Sequence, residues 1–145
     1  MASCTFFGHR DCPELVKPAL QAAIEHLICC CAVDRFYVGN HGKFDRMVLA
    51  TLRMLAEDYP WIRYEVVLAY IPQRNQLLDG TYTVLPEGIE QVPKRFAIDF
   101  RNRWMLERAD YVIAAIDHPW GGAAKYVQRA ERIGKEVIHL LRPEQ

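Results

Sequence analysis

Apolar and polar positions along the chain fall into short blocks that predict a strand, a turn and a helix in succession. Residues 3–7 are rich in strand-forming side chains and end at Gly8. A helical period follows over about residues 13–31, and Asp11 with Glu14 predicts a capping box at its start. The apolar face predicted for this helix consists of Leu15, Ala19, Ala23, Ile24, Leu27 and Ile28.

The same succession repeats along the rest of the chain. Further strands are predicted over residues 35–39, 64–71, 111–116 and 136–141, and further helices over about 43–59, 93–108 and 123–133. The buried faces predicted for these helices are Phe44, Met47, Val48, Leu52 and Leu55, then Phe96, Phe100, Trp104 and Met105, and finally Val127, Ala130 and Ile133.

Strands that alternate with helices predict a single three-layer α/β/α domain over residues 1–145, with a Rossmann-like fold. The predicted sheet is parallel and five-stranded, in the order 3-2-1-4-5. The first strand then lies at the centre beside the fourth. The carboxyl ends of these two strands form the crevice where such sheets bind their ligands.

Residues 72–92 break this pattern. They hold Pro72, Gly80, Pro86 and Gly88 with weak periodicity, and a connection of this length inside a domain is usually functional or mobile. We therefore predict a flexible flap over about residues 72–92, with one short extended piece at 81–84.

Composition narrows the class of protein. The 18 basic and 18 acidic residues give a formal net charge of zero, so nucleic acid is not an expected partner. No apolar run reaches the length of a membrane span, and no signal peptide is predicted. The five cysteines are odd in number and form no Cys-x-x-Cys pair, which favours reduced thiols in a cytoplasmic protein over disulfides or a zinc knuckle.

Three predicted strand-to-helix turns combine glycine with polar side chains. Glycine lets backbone N–H groups approach a ligand closely, and a helix N-terminus attracts an anion. Three such turns at one sheet edge therefore predict a site for a phosphate-bearing ligand. The candidate ligand-binding residues are Gly8, His9, Arg10, Gly39, Asn40, Gly42, Asp45, Asp117, Gly121, Gly122 and Ala123.

Several of these residues have a second interpretation. Arg10 could pair with a phosphate through its guanidinium or lie in solvent, and His9 could move a proton or only hydrogen-bond its own turn. Asp45 could accept hydrogen bonds from a ribose, or it could only interact favourably with the dipole at the start of its helix. Asp117 could bind ribose hydroxyls or a metal, or only form an Asx turn.

Other polar residues carry weaker signals. His9, His41 and His118 could converge in the fold, but their spacing specifies no metal site and none is predicted. Residues 101–103 are predicted to lie on a solvated helix face. The sequence lacks both Gly-x-Gly-x-x-Gly after its first strand and a P-loop motif, so no cofactor is assigned beyond a nucleotide-like ligand.

Four stretches of the chain form a distinctive set: Phe7-Gly8-His9-Arg10, then Tyr37-Val38-Gly39-Asn40 with Gly42, Phe44 and Asp45, then Arg101-Asn102 with Trp104 and Met105, and Trp120-Gly121-Gly122-Ala123. Together they resemble the SLOG superfamily, and within it a bacterial branch. The resemblance implies a Rossmann-like fold that binds nucleotides or nucleotide-derived ligands. It also implies relatives such as the Lonely Guy phosphoribohydrolases and the DNA-processing protein DprA.

Lonely Guy enzymes carry the motif Pro-Gly-Gly-x-Gly-Thr-x-x-Glu, in which the glutamate is catalytic. The similar stretch here keeps the glycine pair, but Ala124, Lys125 and Gln128 stand at the third glycine, the threonine and the glutamate. An amide cannot act as a carboxylate base. The resemblance therefore implies ligand binding and puts N-glycosidic cleavage by that mechanism in doubt.

The sequence leaves three functional hypotheses. The first is binding or sensing of a nucleotide or nucleotide-derived phosphate ligand at the carboxyl edge of the sheet. The second is a nucleotide-cleaving hydrolase of the phosphoribohydrolase type, with its acid supplied by Glu87, Asp99 or Asp117. The third is a DprA-like DNA-processing accessory. A homo-oligomer is also expected if aromatic side chains on the second and third helices form an exposed patch.

Overall fold

Strands and helices alternate along the chain as the sequence predicts. The structure is a computed structural model that describes residues 2–70 and 82–141. Its elements are β1 (Ala2–Gly8), α1 (Lys17–Cys30), β2 (Val33–Val38), α2 (Gly42–Asp58), β3 (Arg63–Val67), β4 (Tyr82–Val84), α3 (Lys94–Arg108), β5 (Tyr111–Ala115), α4 (Gly122–Arg132) and β6 (Glu136–His139). Short 3-10 turns occur at Glu14–Val16 and Ile89–Gln91.

The strands form one parallel sheet in the order β4-β3-β2-β1-β5-β6. The five predicted strands correspond to β1, β2, β3, β5 and β6, so the α/β class and the order 3-2-1-4-5 are confirmed. The prediction of five strands is wrong, because β4 adds a sixth beside β3. Right-handed crossovers place β1 at the centre and create the switch point between β1 and β5.

The added strand lies within the predicted flap. Thr83 of β4 pairs with Val66 of β3, in agreement with the extended piece predicted at 81–84. A strand of three residues with an exposed Tyr82 carries too little apolar period to be assigned to a sheet from sequence. The rest of the flap prediction falls mainly on residues 71–81, which lie outside the described residues.

Helices cover both faces of the sheet and give two hydrophobic clusters. On one face α1 and α2 pack over Phe6 and Phe36, whose ring centroids are 6.1 Å apart. On the other face α3 and α4 cover Phe7, whose ring stacks on Tyr126 at 5.5 Å. Consecutive strand residues thus point to opposite clusters, as the pleat requires. Within the described ranges, no helix is long and apolar enough to cross a bilayer.

The predicted face of α1 is partly wrong. Leu15 is 73% exposed, whereas Val16 and Leu20 are buried. The chain enters α1 through the 3-10 turn at Glu14–Val16. The buried residues, which are Val16, Leu20, Ile24, Leu27 and Ile28, follow one helical stripe, and the predicted Leu15, Ala19 and Ala23 lie beside it. The predicted capping box is also wrong, since Pro13 precedes this turn and no side chain caps it.

Apolar periodicity predicts the buried face of α2 correctly and the buried faces of α3 and α4 only in part. All five residues of the predicted α2 stripe are buried. In α3 the predicted Met105 is buried, Phe100 and Trp104 are half-buried, and Phe96 is 50% exposed. The other buried residues of α3 are Ala97, Arg101 and Leu106. Ile133 is exposed because α4 ends one residue before it. The α3 face was mispredicted because a buried arginine counts as polar in any apolar pattern.

Candidate functional site

A pocket of about 300 Å³ lies at the carboxyl ends of the central strands, where the switch point was predicted. Residues from β1, the turn after it, α2, α3 and the start of α4 surround it. The lining consists of Phe6, Phe7, Gly8, His9, Arg10, His41, Asp45, Ile98, Arg101, Asn102, Met105, Gly122 and Ala123. Turns that are distant in sequence therefore meet at one sheet edge.

The structure divides the sequence-predicted candidates into two groups. Six of them line the pocket, namely Gly8, His9, Arg10, Asp45, Gly122 and Ala123. The remaining five lie behind or beside lining residues and are Gly39, Asn40, Gly42, Asp117 and Gly121. Gly39 and Asn40 lie against Arg101, a Cβ at Gly42 would lie 3.2 Å from Arg10, and Asp117 lies beside His9 and His118. Gly121 directly precedes α4.

Arg101 is the residue that the sequence interpretation missed. It was predicted to lie on a solvated helix face, but it is 3% exposed and lines the pocket. Its Nη1 donates to Oδ1 of Asn40 at 3.2 Å and to the carbonyl oxygen of Val67 at 3.4 Å, and lies 3.3 Å from Nδ1 of His41. Its Nε donates to Asn102 at 2.9 Å. The sequence signal was that Arg101 lies four residues from both Ala97 and Met105, which places it on the same helix face as these apolar residues.

Asp45 places a carboxylate beside this guanidinium. Its Oδ2 accepts the backbone N–H of His41 at 3.0 Å. Burial raises the pKa of Asp45 to about 6, against the opposing effects of the Arg101 charge and the His41 N–H. Burial likewise lowers the pKa of Arg101 from its usual value, and Asp45 opposes that shift.

Gly39 makes room for this pair. A Cβ at Gly39 would lie 2.6 Å from Oδ2 of Asp45 and 3.0 Å from Nη1 of Arg101. Any side chain there would displace one of the two charged groups. The glycine at the end of β2 is therefore explained by close packing against the charged pair.

The N-terminus of α4 presents unpaired backbone donors to the pocket. Gly121 precedes the helix with φ +96°, a left-handed conformation that favours glycine, and no side chain caps the helix there. Across the described part of the chain, nothing accepts a hydrogen bond from the N–H groups of Gly122 and Ala123. Such donors at a helix N-terminus favour an anion.

Three rings stack at the rim of the pocket. The rings of His9 and His118 are parallel with centroids 3.6 Å apart, and Trp120 stacks on His118 at 4.1 Å. Asp117 lies beside both histidines, with its Oδ1 3.7 Å from Nε2 of His9. Burial lowers the pKa of His9, as does His118, and Asp117 opposes the shift. His41 does not join them, because it lies beside Arg101 and Tyr70.

The acids considered for hydrolysis differ in their surroundings. Asp99 accepts hydrogen bonds from Arg103 at 3.0 Å, Lys125 at 3.2 Å and the hydroxyl of Tyr126. The Tyr126 hydrogen bond is the main cause of its lowered pKa, which makes Asp99 a poor proton donor. Glu87 is exposed and does not line the pocket, whereas Asp117 borders it through His9.

Gln128 takes part in loop structure. Its Nε2 donates to the carbonyl oxygen of Pro119 at 3.1 Å and so ties α4 to the turn after β5. Gln128 is exposed and does not line the pocket. The residue at the position of the Lonely Guy glutamate thus makes a structural contact here.

Comparison with known proteins gives a relationship of fold. No family model and no curated protein matches the chain. Among solved structures, the chain is similar to DNA processing protein A (DprA) from Streptococcus pneumoniae, with a TM-score of 0.68 and 17% sequence identity. The match covers 96% of this chain and 50% of that one, so this chain spans about half the length of the protein it resembles. At this identity the likeness shows the shared Rossmann-like fold, and the SLOG and Lonely Guy resemblances are carried by the sequence motifs alone.

Proposed function

We propose that the pocket binds a small phosphate-bearing ligand of the nucleotide type. The observation that carries the proposal is the pairing of two anion-attracting features in one cavity. Arg101 supplies a buried positive charge, and the open N-terminus of α4 supplies backbone donors at Gly122 and Ala123. Arg10 adds an exposed guanidinium at the same pocket.

The hydrogen bonds of Arg101 support an anionic ligand. All four acceptors are neutral groups: an asparagine and a histidine side chain, a backbone carbonyl and the amide of Asn102. These bonds use Nε and Nη1 and leave Nη2 without a partner among the described residues. Among the described residues, the lining holds two guanidinium groups, those of Arg10 and Arg101, and one carboxylate, that of Asp45. A ligand phosphate would balance the excess positive charge.

The size and walls of the pocket favour a ligand with an apolar part. A volume of about 300 Å³ is at the small end of ligand sites and fits a mononucleotide better than a dinucleotide. Phe7, Ile98 and Met105 give one side an apolar surface on which a base could pack. Asp45 is placed to accept a hydrogen bond from a hydroxyl group.

The proposal can be tested by calorimetric titration with inorganic phosphate, a nucleoside and the matching nucleoside monophosphate. The monophosphate should bind most tightly, because it alone uses both the donors and the apolar wall. Arg10→Ala should weaken its binding about tenfold with little change in melting temperature. Arg46→Ala, an exposed arginine of α2 outside the pocket, is the control. A folded sample that binds neither phosphate nor any nucleotide would contradict the proposal.

Single-stranded nucleic acid is a second candidate ligand. It is favoured by the fold shared with a protein named for DNA processing, and by an exposed Trp120 that stacks on His118. An exposed Arg10 also lines the pocket. Aromatic stacking and arginine contacts are how sequence-tolerant binding of single strands is achieved. The zero net charge opposes it. Anisotropy with labelled oligonucleotides at two salt concentrations tests this candidate, and absence of binding at low salt would reject it.

A further inference from the structure

Three metal-ligating side chains meet at the carboxyl ends of β1 and β5. His9 follows β1, and Asp117 and His118 follow β5. A nitrogen of each histidine and an oxygen of Asp117 all lie within 4.8 Å of one another. Within residues 2–70 and 82–141, no other group of three such side chains converges in this way. The sequence interpretation allowed His9, His41 and His118 to converge without predicting a metal site. The parallel pairing of β1 with β5 brings His9 and His118 together, with Asp117 as the third group.

The ring nitrogens lack partners that would explain their burial. The side chain of His9 is 10% exposed, and its Nε2 is buried without a hydrogen bond, as is Nδ1 of His118. A buried polar atom left unpaired costs about 1–3 kcal/mol. A metal ion would give such a nitrogen the partner that it lacks.

The distances suit an ion better than hydrogen bonds. Oδ1 of Asp117 lies 3.7 Å from Nε2 of His9 and 3.6 Å from Nε2 of His118. Both distances exceed the usual length of a hydrogen bond. Ligand atoms around a tetrahedral ion with bonds of about 2.0–2.1 Å are separated by about 3.3 Å. Because the two imidazole planes are stacked 15° from parallel, one ring would have to turn out of the stack to direct its lone pair at the ion.

We propose that His9, Asp117 and His118 form a binding site for a divalent transition-metal ion of the zinc type. Two imidazoles and one carboxylate form a three-ligand set that leaves a coordination position open to water or to an oxygen of a ligand. Asp117 is exposed and provides a path of entry. Because His9 also lines the pocket, the ion would adjoin the proposed phosphate site, but its binding requires no nucleotide.

Zn²⁺ titration of the metal-free protein without any nucleotide tests this proposal. Cys29, Cys30 and Cys31 should first be changed to serine, because these thiols compete for zinc and Cys31 lies 3.9 Å from the ring of His26. One equivalent of zinc should then bind. Asp117→Asn and His118→Gln should each weaken binding at least tenfold, since even second-shell losses cost 10–100-fold.

A histidine–carboxylate pair elsewhere provides the matched control. His139 lies 2.9 Å from Glu131, and His139→Gln should leave zinc affinity unchanged. Co²⁺ should give the visible bands of a nitrogen and oxygen site, with no thiolate charge-transfer band. Circular dichroism checks that each variant is folded. The proposal is overturned if zinc does not bind saturably, or if Asp117→Asn and His118→Gln both bind like the parent, which would leave the three rings as a packing stack only.

Discussion

The N-termini of α2 and α4 start in the same way but differ in the charge of the side chain in their first turn. Both helices start at a glycine that follows a strand on the same sheet edge. In α2 the fourth residue is Asp45, whose Oδ2 accepts the N–H of His41, and the N–H of Lys43 donates to Arg10 at 3.1 Å. In α4 the fourth residue is Lys125, which pairs with Asp99 on α3, and no side chain caps the helix.

This difference shows that a glycine before a helix does not by itself define an anion site. At α2 a carboxylate of the chain already occupies the position where an anion would be stabilised. At α4 the chain places no carboxylate in that position, and Arg101 lies in the same pocket. Under the proposed function, the charge of one side chain in the first turn would decide which terminus binds a phosphate.

Removal of the Arg101 guanidinium should have the largest effect on stability. Arg101→Met would leave the buried oxygens of Asn40 and Val67 without their donor. Because each such oxygen costs about 1–3 kcal/mol when unpaired, the expected loss is about 2–5 kcal/mol in the free energy of unfolding, measured with urea at pH 7. Arg103→Met, at an exposed position of the same helix, should cost less than about 1 kcal/mol. A loss that small for Arg101→Met would show that the hydrogen bonds of Arg101 contribute little to stability.

Acidic pH should change the stability through Asp45. Its pKa of about 6 lies above the ordinary value, so its contribution is fully present below about pH 4 and is lost as the pH rises through 6. The free energy of unfolding of the parent, relative to Asp45→Asn, should fall by roughly 3 kcal/mol from pH 4 to pH 7. Urea unfolding at several pH values measures this difference. A difference that rises with pH would mean that Asp45 has the lowered pKa of a strong ion pair.

A carboxylate at the open terminus should make α4 resemble α2. Gly122→Asp should stabilise the protein by about 0.3–1 kcal/mol through the helix dipole. The same change should weaken binding of the nucleoside monophosphate, because the new carboxylate would occupy the anion position. Gly122→Ala adds no charge and is the control. Thermal unfolding and calorimetric titration report the two effects separately, and unchanged binding in Gly122→Asp would exclude this terminus from the site.

The smallest expected effect on ligand binding concerns the loop before α4. Gln128→Ala removes the hydrogen bond to Pro119 and should cost about 0.5–1 kcal/mol, with little loss of ligand affinity. Urea unfolding and a parallel titration would measure both. A large loss of affinity would indicate that this bond holds the N-terminus of α4 in its binding position.

Much of the fold could be predicted because local patterns reflect it directly. The β1, β2 and β5 strands are buried runs between helices, and the α2 stripe has the period of one buried face. The alternation of elements then restricts the sheet to a few orders through handedness. The short β4 strand was not assigned to the sheet because its place depends on pairing with β3. Three residues beside the buried stripe of α1 were assigned to it because their side chains are also apolar.

The candidate site was predictable only in part. Turn glycines and polar residues at strand ends indicated the pocket, since parallel topology brings all such turns to one edge. Arg101 could not be identified, because burial of a charge depends on acceptors contributed by Asn40, His41 and Val67 from elsewhere in the chain. Apolar periodicity contains no information about such contacts.

The sequence by itself determined the alternating elements, the parallel order and the edge at which the turns gather, because these follow from apolar period, turn residues and crossover handedness. Only the tertiary structure decided which groups at that edge are charged, paired or left open. It brought His9 to Asp117 and His118, enclosed Arg101 beside Asp45, and left α4 without a cap. Such states depend on distances between residues far apart in the chain, and those distances are fixed only when the layers pack.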